Sequence, residues 1–395
     1  MRALFTSSPG LGHVLPLMSI ARAMADAGHD VAFGVPRVLR PLVEGAGFRW
    51  IEAGVGSDDP ELAALQARMR ELPGPERMRV GVGELFGGIL PRRMVPDLLG
   101  IAETWRPDLF VRESREFGAM IAGELLDIPD ASVLINAAGS LPHYAALLYS
   151  PLQRLRATFG LPERSIQALI DRYLVLTSFP ASLNTVGDPV APTTHNVRAI
   201  PDDDADGVLP AWIDGMGTRP LIYVSLGTAF GDRRGTVFSK LLAGLRDIDA
   251  EIVLTVGKDL DPVTLGPQPA HIHLERYLPL RALLPRCSLV VFHGGSGTLG
   301  HVVATGLPMV ILPFSADQPP NAERCAELGV SRTLEQGDLT PDHIREVVLD
   351  VLHTPSYRQA AGRLRDEFNA LPGPELAVEL LERLARDKVP IIASR

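Results

Sequence analysis

Cysteine is scarce in this sequence, since only Cys287 and Cys325 occur among its 395 residues. Two thiols are too few for a disulfide framework or a zinc site, and they suit a reducing compartment. No apolar run reaches the length of a membrane-spanning helix, so none is predicted. A signal peptide is not expected either, because the apolar residues 3–5 run straight into the polar residues 6–10. These features predict a cytoplasmic protein.

Positive charge is also in short supply, with 38 Lys and Arg residues against 47 Asp and Glu residues and a net charge of −9. Proteins that bind nucleic acid or anionic membranes need basic surfaces, so neither partner is expected. The total charge does not argue against one small anionic ligand, because the local field decides its binding. Hydrophobic residues make up 46% of the chain, which is enough for a large core. The length predicts about two to three domains.

What the sequence does contain is a repeated alternation of strands and helices. In the first half, short apolar strands are predicted at 2–7, 31–35, 109–111 and 131–135. In the second half, they are predicted at 221–225, 252–256, 272–274, 289–292 and 309–312. Helical spacings lie between them, which is the pattern of parallel sheets covered by helices. We therefore predict an α/β fold in which two Rossmann-like domains face each other across a cleft.

Composition also predicts where the domains begin and end. The acidic stretch 202–206 and the following stretch 215–220 have the character of an interdomain linker. The predicted parts are a first domain at 1–205, a linker at 206–218, a second domain at 219–373 and, at 374–395, a C-terminal helix that packs back on the first domain. Residues 57–93 are rich in Gly, Pro, Met and Arg, and they are predicted to be an irregular insertion that covers a site.

A glycine-rich turn follows the predicted strand at 288–292 and reads His293-Gly294-Gly295-Ser296-Gly297-Thr298. A helix is predicted from Thr298, so several backbone N–H groups and a helix N-terminus would surround one small cavity that suits a diphosphate. Asp317 and Gln318 follow the next predicted strand, and a carboxylate beside an amide suits vicinal hydroxyls. A diphosphate next to hydroxyls indicates a nucleotide sugar.

His13 lies in the first turn between a strand and a helix, after Gly10-Leu11-Gly12. The glycine pair is a weak signal of a dinucleotide site, and a histidine here is by itself most simply a capping or loop residue. Glu113 ends another strand of the same sheet, and a carboxylate bonded to one imidazole nitrogen raises the basicity of the other. Such a pair would take a proton from a hydroxyl. The alternative is a salt bridge from Glu113 to Arg112 or Arg115.

Three further features give weaker signals. Ser225-Leu226-Gly227-Thr228 ends a strand, and its hydroxyl and N–H groups would hold a second phosphate or form an ordinary turn. Tyr277, next to Leu278, would stack a base or be an exposed loop aromatic. Asp259 and Asp261 imitate the D-x-D metal motif of other sugar transferases, but their Pro-rich loop lacks an adjacent strand end. No metal site is predicted there.

Several motifs together carry a resemblance to a known family, namely residues 7–16 (SSPGLGHVLP), residues 225–228 (SLGT), and His293 to Thr298 with Asp317, Gln318 and Asn321. The chain resembles bacterial glycosyltransferases of the two-Rossmann (GT-B) architecture, specifically actinobacterial enzymes that glycosylate polyketides and other natural products. The resemblance covers nearly the full length. It implies that the domain at 1–205 binds the acceptor and that the domain at 219–373 binds the nucleotide sugar.

The resemblance also implies roles for individual residues. His13 is the base that activates the acceptor, and Glu113 stands at the position of its acidic partner. That partner is commonly Asp in relatives, and Glu116 is close enough to leave the assignment open. Tyr277 stands where many relatives, notably plant ones, carry the Trp that stacks the base. The residues expected to bind the donor nucleotide or its sugar are Gly12, Ser225, Gly227, Thr228, Tyr277, Leu278, His293, Gly294, Gly295, Ser296, Gly297, Thr298, Asp317, Gln318 and Asn321.

The implied activity is that of an inverting glycosyltransferase. It would move a (deoxy)sugar from a nucleoside diphosphate, with dTDP expected and UDP as the alternative, to a hydroxyl of a polyketide-like or aromatic natural product. The nucleotide sugar is a cosubstrate, neither a cofactor nor a metal is expected, and a homodimer is left open. A nucleotide-sugar 2-epimerase shares the donor chemistry but needs acid/base carboxylates around the sugar. A non-catalytic partner protein of the same fold would have lost the base, whereas this chain has His13 at that position.

Overall fold

The computed structural model describes residues 1–56, 58–138, 144–199, 207–227, 234–257 and 260–393. The chain forms two units: the first consists of Met1–Phe179, Val186–Pro201 and Leu371–Arg395, and the second of Pro180–Thr185 and Asp202–Ala370. The domain bounds predicted from the sequence stay a prediction, and the acidic stretch 202–206 of the predicted linker lies outside the described residues.

Seven parallel strands form the sheet of the first unit. In chain order they are β1 (Arg2–Thr6), β2 (Asp30–Val35), β3 (Arg49–Glu52), β4 (Leu109–Glu113), β5 (Asp130–Leu134), β6 (Leu174–Thr177) and β7 (Thr194–Asn196). They lie side by side in the order β3-β2-β1-β4-β5-β6-β7. The central strands β1 and β4 are almost wholly buried, and each contains three successive apolar residues.

Six parallel strands form the sheet of the second unit. In chain order they are β8 (Leu221–Ser225), β9 (Glu251–Thr255), β10 (Ile272–Glu275), β11 (Leu289–Phe292), β12 (Met309–Ile311) and β13 (Ser331–Thr333). They lie side by side in the order β10-β9-β8-β11-β12-β13. Two parallel sheets with flanking helices confirm the predicted α/β class.

Helices connect the strands in both units. The first unit contains α1 (Leu11–Asp26), α2 (Arg40–Gly45), α3 (Pro60–Glu71), α4 (Gly74–Val80), α5 (Leu90–Trp105), α6 (Gly118–Leu126), α7 (Ala145–Thr158) and α8 (Ile166–Ile170). The second contains α9 (Arg234–Leu245), α10 (Leu280–Leu283), α11 (Ser296–Thr305), α12 (Gln318–Glu327), α13 (Pro341–His353) and α14 (Pro355–Asn369). The last helix, α15 (Pro374–Asp387), returns to the first unit, where Leu381 and Leu384 share a buried core with Leu17 and Ile20 of α1.

The prediction of an irregular insertion at 57–93 is wrong. Apart from residue 57, which is not described, this segment is mostly helical, and from Gly74 to Trp105 the helix is continuous with a π-helical part at Gly81–Ile89. The glycines that suggested a loop serve packing instead, because a Cβ on Gly83 or Gly87 would lie 3.3 or 3.2 Å from atoms of α7. Glycine therefore marks close approach of two helices here, and not a flexible chain.

The sequence prediction also missed four strands, β3, β6, β7 and β13. Three of them, β3, β7 and β13, are three to four residues long and only partly buried, so they carry no apolar run. The fourth, β6, is buried and apolar but has four residues, which is too few for a periodicity to stand out.

Each sheet has one point where the direction of the strand order reverses. In the first sheet the chain moves outward from β1 to β2 and β3, and then from β4 to β5 and β6, so the reversal lies between β1 and β4. In the second sheet the reversal lies between β8 and β11. Crevices at the carboxyl ends of such neighbouring strands are the usual ligand sites of open α/β sheets.

Two findings bear on the sequence features discussed first. Both cysteines are free and buried, so no disulfide stabilises either unit. Among the helices of the described residues, none is long and apolar enough to cross a membrane.

Candidate active site

His13 reaches the carboxyl edge of the first sheet because of a glycine turn. After β1 the chain turns at Gly10, whose φ of 139° is a conformation that side chains other than glycine rarely adopt. The helix α1 then begins at Leu11, and His13 lies in its first turn. Glu113 is the last residue of β4, the strand next to β1. The two side chains therefore meet at the reversal point of the sheet.

The contact between them fixes the proton of the imidazole. His13 Nδ1 lies 3.0 Å from Glu113 Oε1. An ionised carboxylate only accepts hydrogen bonds, so Nδ1 carries the proton and donates it, and the lone pair is on Nε2. The His13 side chain is 19% exposed while Glu113 is fully buried. Among the described residues no hydrogen-bond partner of Nε2 is found, so this nitrogen is free to accept a proton from a ligand.

The carboxylate of Glu113 is held ionised by its partners. Burial by itself would raise its pKa, but the charge of His13 and the hydrogen bond from it act in the opposite direction. The backbone N–H groups of Arg115 (2.7 Å) and Ser8 (3.3 Å) donate to the same carboxylate. Together these donors outweigh burial and place the pKa of Glu113 below its usual range. An ionised Glu113 can stabilise a protonated His13.

Glu116, the alternative partner, has a different place. Its carboxylate accepts hydrogen bonds from the backbone N–H groups of Gly118 and Ala119, at the start of α6, and from the Thr6 hydroxyl at 2.7 Å. Burial raises the pKa of Glu116 to about 7. Of the two glutamates, the structure therefore brings Glu113 to His13 and uses Glu116 to join the ends of β1 and β4 to α6.

The Phe86 ring and the Arg115 guanidinium near His13 were not identified as site groups from the sequence. The Phe86 ring, in the π-helical part, stacks on the His13 ring with 5.6 Å between centroids and 25° between planes. The Arg115 guanidinium carbon lies 5.6 Å from the Phe86 centroid and 5.7 Å from the Tyr144 centroid. The sequence suggested Arg115 only as a salt-bridge partner of Glu113, whereas the structure shows its backbone N–H in that contact. Phe86 was not identified because residues 57–93 were predicted to be an irregular insertion.

In the second unit, the His293 ring fits between two glycines. His293 follows β11, and Gly227 follows β8, on the two sides of the reversal point. A Cβ on Gly227 would lie 2.6 Å from Cε1 of His293, and a Cβ on Gly295 would overlap its Nε2. Gly227 also has a φ of 71°, which favours glycine. Two predicted donor-binding glycines are thus needed to seat the imidazole.

The imidazole of His293 is held in its neutral form by burial. Burial lowers its pKa to about 4, although the charge of Asp317 and a hydrogen bond with the Ser225 backbone act in the opposite direction. His293 is therefore neutral near pH 7 in the ligand-free protein. Positive potential for an anion has to come from the backbone N–H groups and the dipole of α11.

The N-terminus of α11 is tied to the N-terminus of α12 through Asp317. Asp317 Oδ2 accepts hydrogen bonds from the backbone N–H (2.9 Å) and the hydroxyl (2.5 Å) of Ser296. The Asn321 amide donates to Gly294 O at 2.8 Å and to Ser296 Oγ at 3.0 Å. Gln318 Oε1 accepts from two backbone N–H groups at 2.8 and 3.2 Å. These residues therefore set the shape of the loop, and their predicted contact with a sugar stays a prediction.

The chain is similar to proteins of known activity. Residues 239–384 match the family described as erythromycin biosynthesis protein CIII-like, C-terminal domain. The 3-alpha-mycarosylerythronolide B desosaminyl transferase of Saccharopolyspora erythraea is 27% identical, covering 98% of this chain and 98% of the relative. The 10-deoxymethynolide desosaminyltransferase of Streptomyces venezuelae is 28% identical, covering 98% and 97%.

The chain is also similar to solved structures of glycosyltransferases. The glycosyltransferase SnogD from Streptomyces nogalater is 27% identical with a TM-score of 0.76, covering 98% of this chain and 99% of that chain. The glycosyltransferase VinC, solved in complex with dTDP, is 25% identical with a TM-score of 0.79, covering 98% and 100%. The chain is a glycosyltransferase. Its fold is the GT-B fold, and its relatives are actinobacterial glycosyltransferases of natural-product biosynthesis.

The other predicted donor residues of this glycosyltransferase are placed as follows. Tyr277 is 56% exposed, in the connection between β10 and α10, so its ring is open for stacking, while Leu278 is buried. Gly297 and Thr298 lie in the first turn of α11. Gly12, in contrast, lies in α1 of the first unit. Thr228 lies outside the described residues.

The predicted lack of a metal site in this glycosyltransferase concerns Asp259 and Asp261. Within the described ranges, no group of three His, Cys, Asp or Glu residues could hold a metal ion. Asp261 accepts a hydrogen bond from the Val263 N–H at 3.2 Å and pairs with Arg276 at 3.3 Å, while Asp259 is not among the described residues. Metal-independent transfer therefore stays a prediction.

Proposed function

We propose that this glycosyltransferase moves a (deoxy)sugar from a dTDP-sugar to a hydroxyl of a polyketide-like or aromatic natural product, with inversion at the anomeric carbon. The observation that carries the proposal is the pair of His13 and Glu113 at the reversal point of the first sheet. A partly exposed imidazole whose inner nitrogen bonds a buried carboxylate is a general base ready for a hydroxyl proton.

The proposed reaction is one displacement. The acceptor oxygen attacks the anomeric carbon while its proton passes to His13 Nε2, and the bond from that carbon to the diphosphate oxygen breaks with both electrons leaving on the diphosphate. The new positive charge on the imidazole is stabilised by Glu113, 3.0 Å from Nδ1. Attack opposite the leaving group converts an α-linked donor into a β-linked product. Rate enhancement comes from positioning, proton removal and support of the leaving charge.

The donor side is supported by the loop of the second unit. Backbone N–H groups at the start of α11 and the neutral His293 supply hydrogen-bond donors for a diphosphate without adding a formal charge. The exposed Tyr277 ring offers a stacking surface for a base. Preference for dTDP is supported by the dTDP complex of the similar VinC. A cytoplasmic location and a homodimer stay predictions.

The test combines donor choice with product configuration. Purified protein is incubated with α-linked dTDP- and UDP-sugars and a panel of polyketide and aromatic aglycones, and the anomeric coupling of each product is measured by NMR. We expect β-linked products, formed faster from dTDP-sugars. An α-linked product would contradict inversion, and conversion of the donor in the absence of any acceptor would indicate an epimerase.

A further inference from the structure

Arg115 brings a positive charge close to the proposed base. Its guanidinium carbon lies between two aromatic rings, 5.6 Å from the Phe86 centroid and 5.7 Å from that of Tyr144. Phe86 also stacks on His13, so one ring contacts both the base and the cation. Both distances fall within the range in which a cation is attracted to the face of a ring.

The guanidinium has no carboxylate partner in the described part of the chain. Glu113 accepts the backbone N–H of Arg115, at 2.7 Å, and not its guanidinium. The fully buried arginines of the same unit behave differently, since Arg112 pairs with Asp130 and Arg156 with Glu124. Arg115 is half-buried and its guanidinium is held by aromatic rings. The N–H groups of the guanidinium donate to none of the described residues, so they can donate to a hydrogen-bond acceptor on a ligand.

We infer that Arg115 binds an anionic group of the acceptor, so that the acceptor is an aromatic compound carrying a carboxylate or a similarly acidic group besides the hydroxyl that reacts. The inference rests on the proposed function of His13. The rings of Phe86 and Tyr144 supply apolar contact for an aromatic acceptor, and the planar guanidinium suits a bidentate carboxylate. A local cation favours such a ligand because the local field, and not the net charge of −9, decides its binding.

The experiment compares two probes that differ in one charge, a hydroxynaphthoate and the matching hydroxynaphthamide. Their dissociation constants are measured by ligand-observed NMR for the wild type, Arg115→Met and Arg115→Lys. We expect the wild type to bind the naphthoate ~10–100-fold more tightly than the amide, as for a charge-assisted hydrogen bond. Arg115→Met should remove this preference, and Arg115→Lys should keep part of it because it retains the charge but not the fork.

Arg172→Met is the matched control. Arg172 is also half-buried, and its guanidinium carbon lies 4.5 Å from the Tyr173 centroid. It precedes β6, so it lies at the amino edge of the first sheet, opposite the edge that holds His13. The control should show the preference of the wild type.

Three results would overturn the inference. The first is equal or unmeasurable binding of the two probes by the wild type. The second is a preference for the naphthoate that persists in Arg115→Met. The third is a loss of dTDP affinity in Arg115→Met, which would assign the cation to the donor. Near-ultraviolet circular dichroism checks that each variant is folded, and Arg115→Lys decides the outcome if the methionine variant is not. Failure of the proposed function would appear separately, as absent sugar transfer or as transfer that does not depend on His13.

Discussion

The two sheets each hold a histidine at the reversal point of their strand order, and the two histidines have contrasting surroundings. His13 is 19% exposed and bonds the buried carboxylate of Glu113. His293 is buried between two glycines, and its pKa is lowered to about 4 by burial. One imidazole keeps a free nitrogen that can take up a proton, while the other is held neutral.

This difference shows that the surroundings, and not the residue type or the fold position, decide the chemistry. Burial disfavours the charged form of His293 even though the charge of Asp317 acts in the opposite direction, whereas the buried carboxylate of Glu113 accepts the Nδ1 proton of His13 and leaves the Nε2 lone pair available. Proton transfer and anion binding can thus be separated between two units that share one architecture. The comparison can be tested by changing one unit and measuring the properties of both.

The largest effect is expected from His13→Ala. Loss of a general base lowers the rate of transfer to a hydroxyl acceptor by ~10²–10⁴, while dTDP affinity should change little because the loop proposed to bind the donor is in the other unit. Turnover at saturating substrate and dTDP titration measure the two properties. The control is His29→Ala, since His29 also contacts a glutamate, Glu382 at 2.9 Å, but outside the site. Turnover near that of the wild type in the His13 variant would exclude the role of base.

A second effect should appear in the pH dependence of stability. Glu116 has a pKa of about 7 in the folded protein against an ordinary value of 4.5. Between these values the folded state binds more protons than the unfolded state, so the free energy of unfolding falls as pH rises through this window. The contribution amounts to about 3 kcal/mol over the whole window.

Glu116→Gln should remove this slope, because an amide does not titrate but still offers an oxygen to the N–H groups of α6. Urea unfolding at several pH values between 4.5 and 7 measures the difference between the wild type and the variant. The variant should gain in relative stability as pH rises. A difference that is the same at every pH would contradict the raised pKa.

The third effect concerns the packing of the His293 ring against Gly295. Gly295→Ala places a Cβ onto the imidazole, and overpacking of this kind costs about 1–3 kcal/mol. We expect lower stability in urea and weaker dTDP binding. Gly297→Ala is the control for stability, because a Cβ at Gly297 meets no atom within 4 Å and alanine favours the first turn of α11. Equal stability of the two variants would show that the ring yields without cost.

The smallest effect is expected from removal of metal ions. Transfer should persist in excess chelator, since backbone N–H groups and the dipole of α11 can face the diphosphate. Initial rates are measured with chelator and after addition of Mg²⁺ or Mn²⁺. A complete loss of activity that these ions restore, in protein that stays folded, would assign support of the leaving group to a cation.

Much of the fold was predictable because buried parallel strands are continuous apolar runs, as β8 and β11 are. The helical segment from Gly74 to Trp105 could not be predicted in this way. Glycine in a sequence indicates a loop even where, as here, it allows two helices to pack closely. Short strands such as β7 are defined by their neighbours in the sheet and have no pattern of their own.

For the site, the position of His13 after a strand was enough to single it out. The choice between Glu113 and Glu116 needed the structure, because both lie near the end of β4 and only the backbone path decides which side chain reaches the imidazole. The neutral state of His293 depends on burial by residues distant in sequence, and so does the contact of Phe86 with His13. No local pattern encodes either.

The π-helical part at Gly81–Ile89 has a consequence for insertions and deletions. Successive residues of an α-helix are turned by about 100° around its axis, and a π-helical turn accommodates extra residues within such a helix. Loss of one codon before Phe86 would therefore rotate its ring away from His13 while β1 and β4, which hold the base and its carboxylate, keep their register. Small changes of length in this segment would therefore alter the surroundings of His13 without disturbing its contact with Glu113.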